Sequence, residues 1–206
     1  MVDKYDGQAM SGVLPKTESS LGHLMRSPFA LARHGPSGIP VSEIFPRIAA
    51  RIDDLCVIRS MHTEVPNHEP SLFMMNSGAI QPGRLSMGAW VTYGLGTMNR
   101  SLPGYRLARR RLEAPRALQG HARGGGYGIW PQPRRAGRDH NSLGFTVLLA
   151  GGGVKGGMVH GATDDFGFQA IDEPVHPHDL NATLLQLLGL DHTKLASPTS
   201  TSSKKF

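Results

Sequence analysis

The chain has a single cysteine, Cys56, in 206 residues. No internal disulfide framework can staple it, and no cysteine-rich zinc site can form. No apolar run approaches the length of a membrane span, so a membrane helix is not expected. The first residues, MVDKYDGQAMSGVLPKTESS, lack the basic start and apolar centre of a secretion signal, which makes the chain as written cytoplasmic by expectation. Apolar residues make up 39%, low for a globular protein, whereas 26 Gly and 15 Pro are many, so part of the chain is not expected to pack. Acidic residues are scarce in one place above all. Residues 105–136 hold eight Arg against one acid, Glu113, a local charge of +7 in a chain whose total is +6. The rest therefore sums to −1, and the basicity belongs to one segment rather than to a folded face.

What is present reads as an α/β pattern. Residues 1–40 are polar with scattered Gly and Pro, and read as irregular. VSEIFPRIAARIDD predicts a helix with Ser42 as N-cap and Ile44, Ile48 and Ile52 at helical spacing, Pro46 falling in its first turn. LCVIRSM (55–61) is a short β-branched apolar run of the kind found in buried parallel strands. A helix leading into such a strand is the α/β signature. HTEVPNHEPSLFMMNSG reads as a polar loop and a helix closed by Gly78, and a second helical piece follows around Trp90 and Tyr93. GFTVLLAGGG (144–153) predicts a strand running into a glycine turn, and GGMVHGA a second short strand. HDLNATLLQLLGLD (178–191) is the clearest helix, with Asp179 as N-cap, a stripe of Leu180, Leu184, Leu187 and Leu188, and Gly189 to stop it. The Ser/Thr-rich end, SPTSTSSKKF, reads as a disordered tail.

Nine of the ten His lie outside the Arg-rich segment, several beside acids or Asn. Asn67-His68-Glu69 opens a predicted helix, and Asp139-His140-Asn141 leads into a predicted strand. Loops at strand ends of an α/β sheet are where ligands bind, and imidazole with carboxylate suits a divalent metal. The same groups also serve as plain turns in which Asp or Asn bonds the backbone. His176 and His178 precede the last helix and could bind metal there, although His near a helix start is usually incidental. His62 and His160 stand isolated and are assigned nothing. Cys56 lies within an apolar strand and reads as a small core residue. GGGVKGG lacks the spacing of a phosphate-binding loop and reads as a turn. Met74 and Met75 read as core filler.

Two blocks resemble a known family. The first is VSEIFPRIAARIDDLCVIRSMHTEVPNHEPSLFMMNSG with GRLSMGAWVTYGLGTMNRSLPGY. The second is GRDHNSLGFTVLLAGGGVKGGMVHGATDDFGFQAIDEPVHPHDLNATLLQLLGLDH. Both closely resemble the domain of unknown function 1501 family, sulfatase-like proteins of the alkaline phosphatase superfamily. The resemblance covers roughly residues 3–105 and 137–193. It implies an incomplete sulfatase-like α/β sandwich with a mostly parallel central sheet. It also implies metal-assisted hydrolysis of a small phosphate or sulfate ester, a divalent metal in intact members, and their export. In sulfatases the nucleophile opens a Cys-x-Pro-Ser-Arg helix whose N-terminus faces the anionic ester. HEPSLFMMNSG keeps that spacing with Pro70, Ser71, Ser77 and Gly78, but His68 stands at the nucleophile position and Leu72 replaces the Arg. A formylglycine mechanism is thereby excluded. His68 is then a candidate metal ligand or histidine nucleophile, and Asp139 and His140 resemble the superfamily's late metal ligands.

Measured against the resemblance, the chain is expected to start downstream of the family's first strand with its metal-binding Asp and to lack the long middle portion between the two blocks. The implied organisation is an irregular 1–40, a first domain part at 41–105, an aberrant Arg/Gly/Pro-rich 106–136, a second part at 137–193 and a tail at 194–206. HARGGGYGIWPQPRRA stands where the family carries a strand ending in Glu-Phe-Gly-Arg. It can be encoded so that reading one base later gives Thr-Arg-Val-Val-Ala-Ala-Thr-Glu-Phe-Gly-Arg-Asn-Pro-Asp-Ala-Gln. Residues from about 107 to 136 are therefore expected to be an out-of-frame reading. Three functional readings follow. The chain is an interrupted, inactive sulfatase-like hydrolase; or a working metal-dependent hydrolase centred on His68 and His140; or a nucleic-acid binder using its eight Arg with Tyr127 and Trp130. The frame argument accounts for the same Arg content, so nucleic acid ranks last as a partner.

Overall fold

The computed structural model describes residues 6–8, 26–96 and 141–195. The chain divides into two compact units, Met1–Pro66 with Gly124–Val175 and Asn67–Arg123 with His176–Phe206. The Arg-rich segment, the tail from 196 onward, and Asp139 and His140 lie outside the described residues.

The first unit is built on β3 (Leu55–Met61), buried at every position but Arg59. A mostly apolar, buried strand of this kind belongs in the middle of a sheet, and β3 has neighbours on both sides. β5 (Met158–His160) runs parallel to it, with Cys56 opposite Met158 and Ile58 opposite His160. β4 (Phe145–Ala150) runs antiparallel, with Leu55 opposite Ala150 and Ile58 opposite Val147. Two small antiparallel hairpins complete the unit. They are β1 (Leu31–His34) with β2 (Ile39–Ser42), and β6 (Ala162–Thr163) with β7 (Ala170–Asp172). The described strands thus make a mixed α/β fold, with one parallel strand pair, β3–β5, among antiparallel ones. In the β1–β2 and β6–β7 hairpins the antiparallel sense follows from connection length: their turns span only a few residues, whereas a parallel pair requires a crossover of a dozen or more.

The β1–β2 hairpin also corrects the irregular reading of residues 1–40. Its turn, Gly-Pro-Ser-Gly, closes through Gly38 N–H donating to Gly35 O at 3.1 Å. Gly35 has φ +62, and a Cβ there would run into the Asp53 carboxylate, so the site admits only glycine. Ile39 and Val41 alternate into a core with Ala49, Ile52, Leu55 and Val57, and Phe45, Ile48 and Leu148 pack against it.

The helix expected from Ser42 is cut short. α1 spans only Pro46–Ala49, and a separate 3-10 turn takes Ile52–Asp54. Proline disfavours helical backbone at the residue before it. Phe45 accordingly sits at φ −118 and ψ 55 as the N-cap, with Pro46 in the first turn, where its missing N–H costs nothing. Ser42 instead ends β2 and accepts from Phe45 N–H at 2.9 Å.

The second unit is helical. It comprises α2 (His68–Ser77), α3 (Met87–Leu95), α4 (Pro177–Leu187) and a 3-10 turn at His192–Lys194. α2 ends as expected on Gly78, in the left-handed conformation at φ 64. α3 starts on Ser86, whose Oγ accepts from Ala89 N–H at 3.2 Å. Met87, Trp90, Leu185 and Leu195 form the buried cluster. The leucine stripe expected on α4 is rotated: Leu180 and Leu185 are buried, while Leu187 and Leu188 are 40% and 45% exposed.

Candidate functional site

The chain passes from β3 through a polar loop, residues 62–67, into α2. His68 is the first residue of that helix and is exposed. Asn67, the N-cap, is extended at φ −86 and ψ 148, and its side chain makes no capping hydrogen bond. Its carbonyl accepts from Ser71 N–H at 3.1 Å, so the helix is formed from its first turn. A helix start of this kind presents backbone N–H groups and the positive end of the helix dipole. The first turn carries Glu69 and no cation. The Leu72 that stands where the resemblance calls for Arg is 51% exposed and offers an anion nothing.

Asn141, the third member of the Asp139-His140-Asn141 group, is described and is buried. Its Nδ2 donates to Gly144 O at 2.9 Å, Phe168 O at 2.9 Å and Gly167 O at 3.1 Å, while its Oδ1 accepts from Leu143 N–H at 3.1 Å. One side chain therefore pins the entry to β4 against the β6–β7 loop. Removing it would take this partner from the carbonyls of the buried Gly144 and Phe168. Its place in Asp139-His140-Asn141 gives no local sign of this role.

His176 and His178 are structural. His176 is the N-cap of α4: its Nδ1 accepts from His178 N–H at 3.2 Å, and Asp179 Oδ2 accepts from His176 N–H at 3.0 Å. Together these form a capping box. Asp179 is thus the third helical residue and not the cap, because Pro177 takes the first helical position. His178 Nε2–H donates to Gly78 O at 2.8 Å, and Asn181 Nδ2 donates to Met75 O at 3.3 Å, so α4 is bonded to the end of α2. These bonds fix the tautomers, with the proton on Nε2 in both rings. Only Nδ1 of His178 keeps a lone pair, and joint metal ligation would require His176 to give up its cap. Among the described residues no group of three His, Cys, Asp or Glu side chains converges as a metal site.

Cys56 is buried, and burial pushes its thiol pKa up, the environment of an inert core thiol. Met74 is buried, in keeping with core filler. GGGVKGG forms turns in which Gly151, Gly152, Gly153 and Gly157 all have positive φ. No described helix is long and apolar enough to cross a membrane.

Among the described residues the carboxylate most perturbed by its surroundings is Asp191, whose Oδ1 accepts from Thr193 Oγ1–H at 2.6 Å and from Thr193 N–H at 3.0 Å. With Lys194 Nζ at 3.1 Å from Oδ2, these bonds lower its pKa to about 2. It caps the 3-10 turn, which makes it a structural group as well.

No curated protein and no solved structure matches the chain. The family described as Protein of unknown function (DUF1501) matches it over residues 1–129 and 130–205. The two matches meet inside the Arg-rich segment. With both halves matched, the chain belongs to the DUF1501 family.

Proposed function

We propose that this chain is an interrupted sulfatase-like member of the alkaline phosphatase superfamily, descended from a metal-dependent hydrolase of phosphate or sulfate esters and itself inactive. The observation that carries the reading is the start of α2. The helix begins at His68, the position at which the resemblance puts the nucleophile, at the end of a loop leaving a buried strand. That is where an anionic ester would meet a helix N-terminus. The contents of the turn support the loss of activity. Glu69 places a negative charge beside the incoming ester, and Leu72 supplies no cation. His68 alone cannot hold two metals, which need ligands from several strand ends. Asp139 and His140 are the remaining ligand candidates, and a divalent metal is the cofactor expected of uninterrupted relatives.

The test is hydrolysis of 4-nitrophenyl phosphate and 4-nitrophenyl sulfate by the full chain with zinc, manganese or calcium. The expected outcome is a rate equal to that without protein. Metal-dependent turnover abolished by His68→Ala or His140→Ala would overturn the inactive reading and favour a working metal hydrolase.

A further inference from the structure

β4 forms one border of the three-stranded sheet: among the described residues β3 lies on one side of it and no strand on the other. The alternation of the backbone shows which of its groups are open. Leu55 O accepts from Gly157 N–H at 2.9 Å, so Leu55 turns its backbone groups towards β5, and Cys56 turns its own towards β4. Cys56 stands opposite Leu149 and Ile58 opposite Val147, so Leu149 and Val147 exchange bonds with β3. Thr146, Leu148 and Ala150 therefore point their N–H and C=O groups away from the sheet. Thr146 and Leu148 are half-buried and Ala150 is exposed, and a Cβ on Gly151 or Gly152, just past the strand, would meet nothing.

An open edge is a template for another strand, and proteins usually blunt it with charge, proline or shortness. The other border, β5, is three residues long and ends in His160. The hairpins carry Arg33 and His34 on β1, Pro40 on β2 and Asp172 on β7, and β6 has only two residues. β4 has none of these devices. It is six residues long, and no charged side chain occurs from Asn141 to Gly153. In a chain of net charge +6, this is a stretch over which two copies meet without opposing like charges.

We propose that β4 is a self-association edge, at which a second copy of this chain adds its own β4 antiparallel across a two-fold axis. Hydrogen-bonded pairing sets outward-facing residues opposite one another. Of the registers that do so, the one centred on Leu148 uses all three: Leu148 faces its counterpart, Thr146 faces Ala150, and Ala150 faces Thr146. Val147 then stands opposite Leu149 and Phe145 opposite Gly151, so the paired side chains are uncharged throughout. The symmetric pair consumes the edge on both copies and leaves the short β5 strands as its outer borders, so growth stops at two. An interface of one strand pair is small beside the roughly 1,200–2,000 Å² of a stable complex, which makes the association reversible and concentration-dependent.

The test is sedimentation equilibrium of the full chain. Its mass should rise with concentration from 22.2 kDa towards twice that value and no further. Thr146→Pro removes an outward N–H while leaving the bonds to β3 in place, and should hold the mass at one chain throughout. A second experiment reads the register without the proline. Thr146→Cys chains mixed with Ala150→Cys chains should form a disulfide-linked pair in air, whereas neither variant alone should. The Cα atoms of a hydrogen-bonded antiparallel pair stand about 5.5 Å apart, within disulfide reach, and the native Cys56 is buried. A mass independent of concentration, growth past two chains, association undiminished by Thr146→Pro, or cross-linking as strong in either variant alone as in the mixture would overturn the proposal.

Discussion

α2 and α4 begin on similar sequences, Asn67-His68-Glu69-Pro70 and His176-Pro177-His178-Asp179. At α4 the side chains close the helix start themselves: His176 accepts from His178 N–H, and Asp179 reaches back to the His176 N–H. At α2 the cap residue makes no side-chain bond. The difference comes from where proline sits. Pro177 takes the first helical position and leaves His176 as cap with a carboxylate three residues on, which is capping-box spacing. Pro70 sits two places later in its helix, and Asn67 is followed at that spacing by proline instead of an acid. The lesson concerns histidine. Beside a helix start it can be the cap, as His176 is, or an exposed first-turn residue behind an N-cap whose side chain makes no capping bond, as His68 is.

Substitutions can break this comparison in order of effect. The largest is expected for Leu185→Ala, which empties a fully buried site beneath α4 and should lower stability by about 2–5 kcal/mol in a thermal or denaturant melt. His176→Ala should cost about 0.5–2 kcal/mol, the usual value of a lost cap. Asn67→Ala at the matching position of α2 should change stability by less than about 0.5 kcal/mol, since no cap bond is lost there. Equal losses at Asn67 and His176 would erase the distinction between the two helix starts.

The smallest effect is pH-dependent. Asp191 caps the last 3-10 turn, and its pKa is lowered in the folded chain to about 2 from an ordinary 3.8. A carboxylate with a depressed pKa favours folding at pH above 3.8, and that contribution is lost as pH falls through about 2. An NMR titration of the Asp191 carboxyl carbon should therefore have its midpoint near 2, and Thr193→Val should move it upward.

The sequence was most legible where burial and periodicity agree. β3 and β4 follow their apolar runs, and α2 stops on Gly78 because a left-handed cap favours glycine. It was less legible where proline shifts a boundary. Pro46 and Pro177 each moved a cap, from Ser42 to Phe45 and from Asp179 to His176. The β1–β2 hairpin stayed hidden because β1 is exposed and carries no alternation; only its Gly-Pro-Ser-Gly turn announces it. The rotated stripe of α4 reflects packing against α3 and the turn after it, which periodicity cannot supply. Of the site candidates, His68 was placed at its helix start correctly. The role of Asn141 depends on carbonyls more than twenty residues away and leaves no local signal.

The measurement that tests the account most directly is the coding DNA through codons 105–137. The interrupted-hydrolase reading predicts that one base later those codons spell Thr-Arg-Val-Val-Ala-Ala-Thr-Glu-Phe-Gly-Arg, with the original frame restored by Gly137. Codons whose shifted reading gives no such strand would contradict it and return the eight Arg of residues 106–136 to a role of their own.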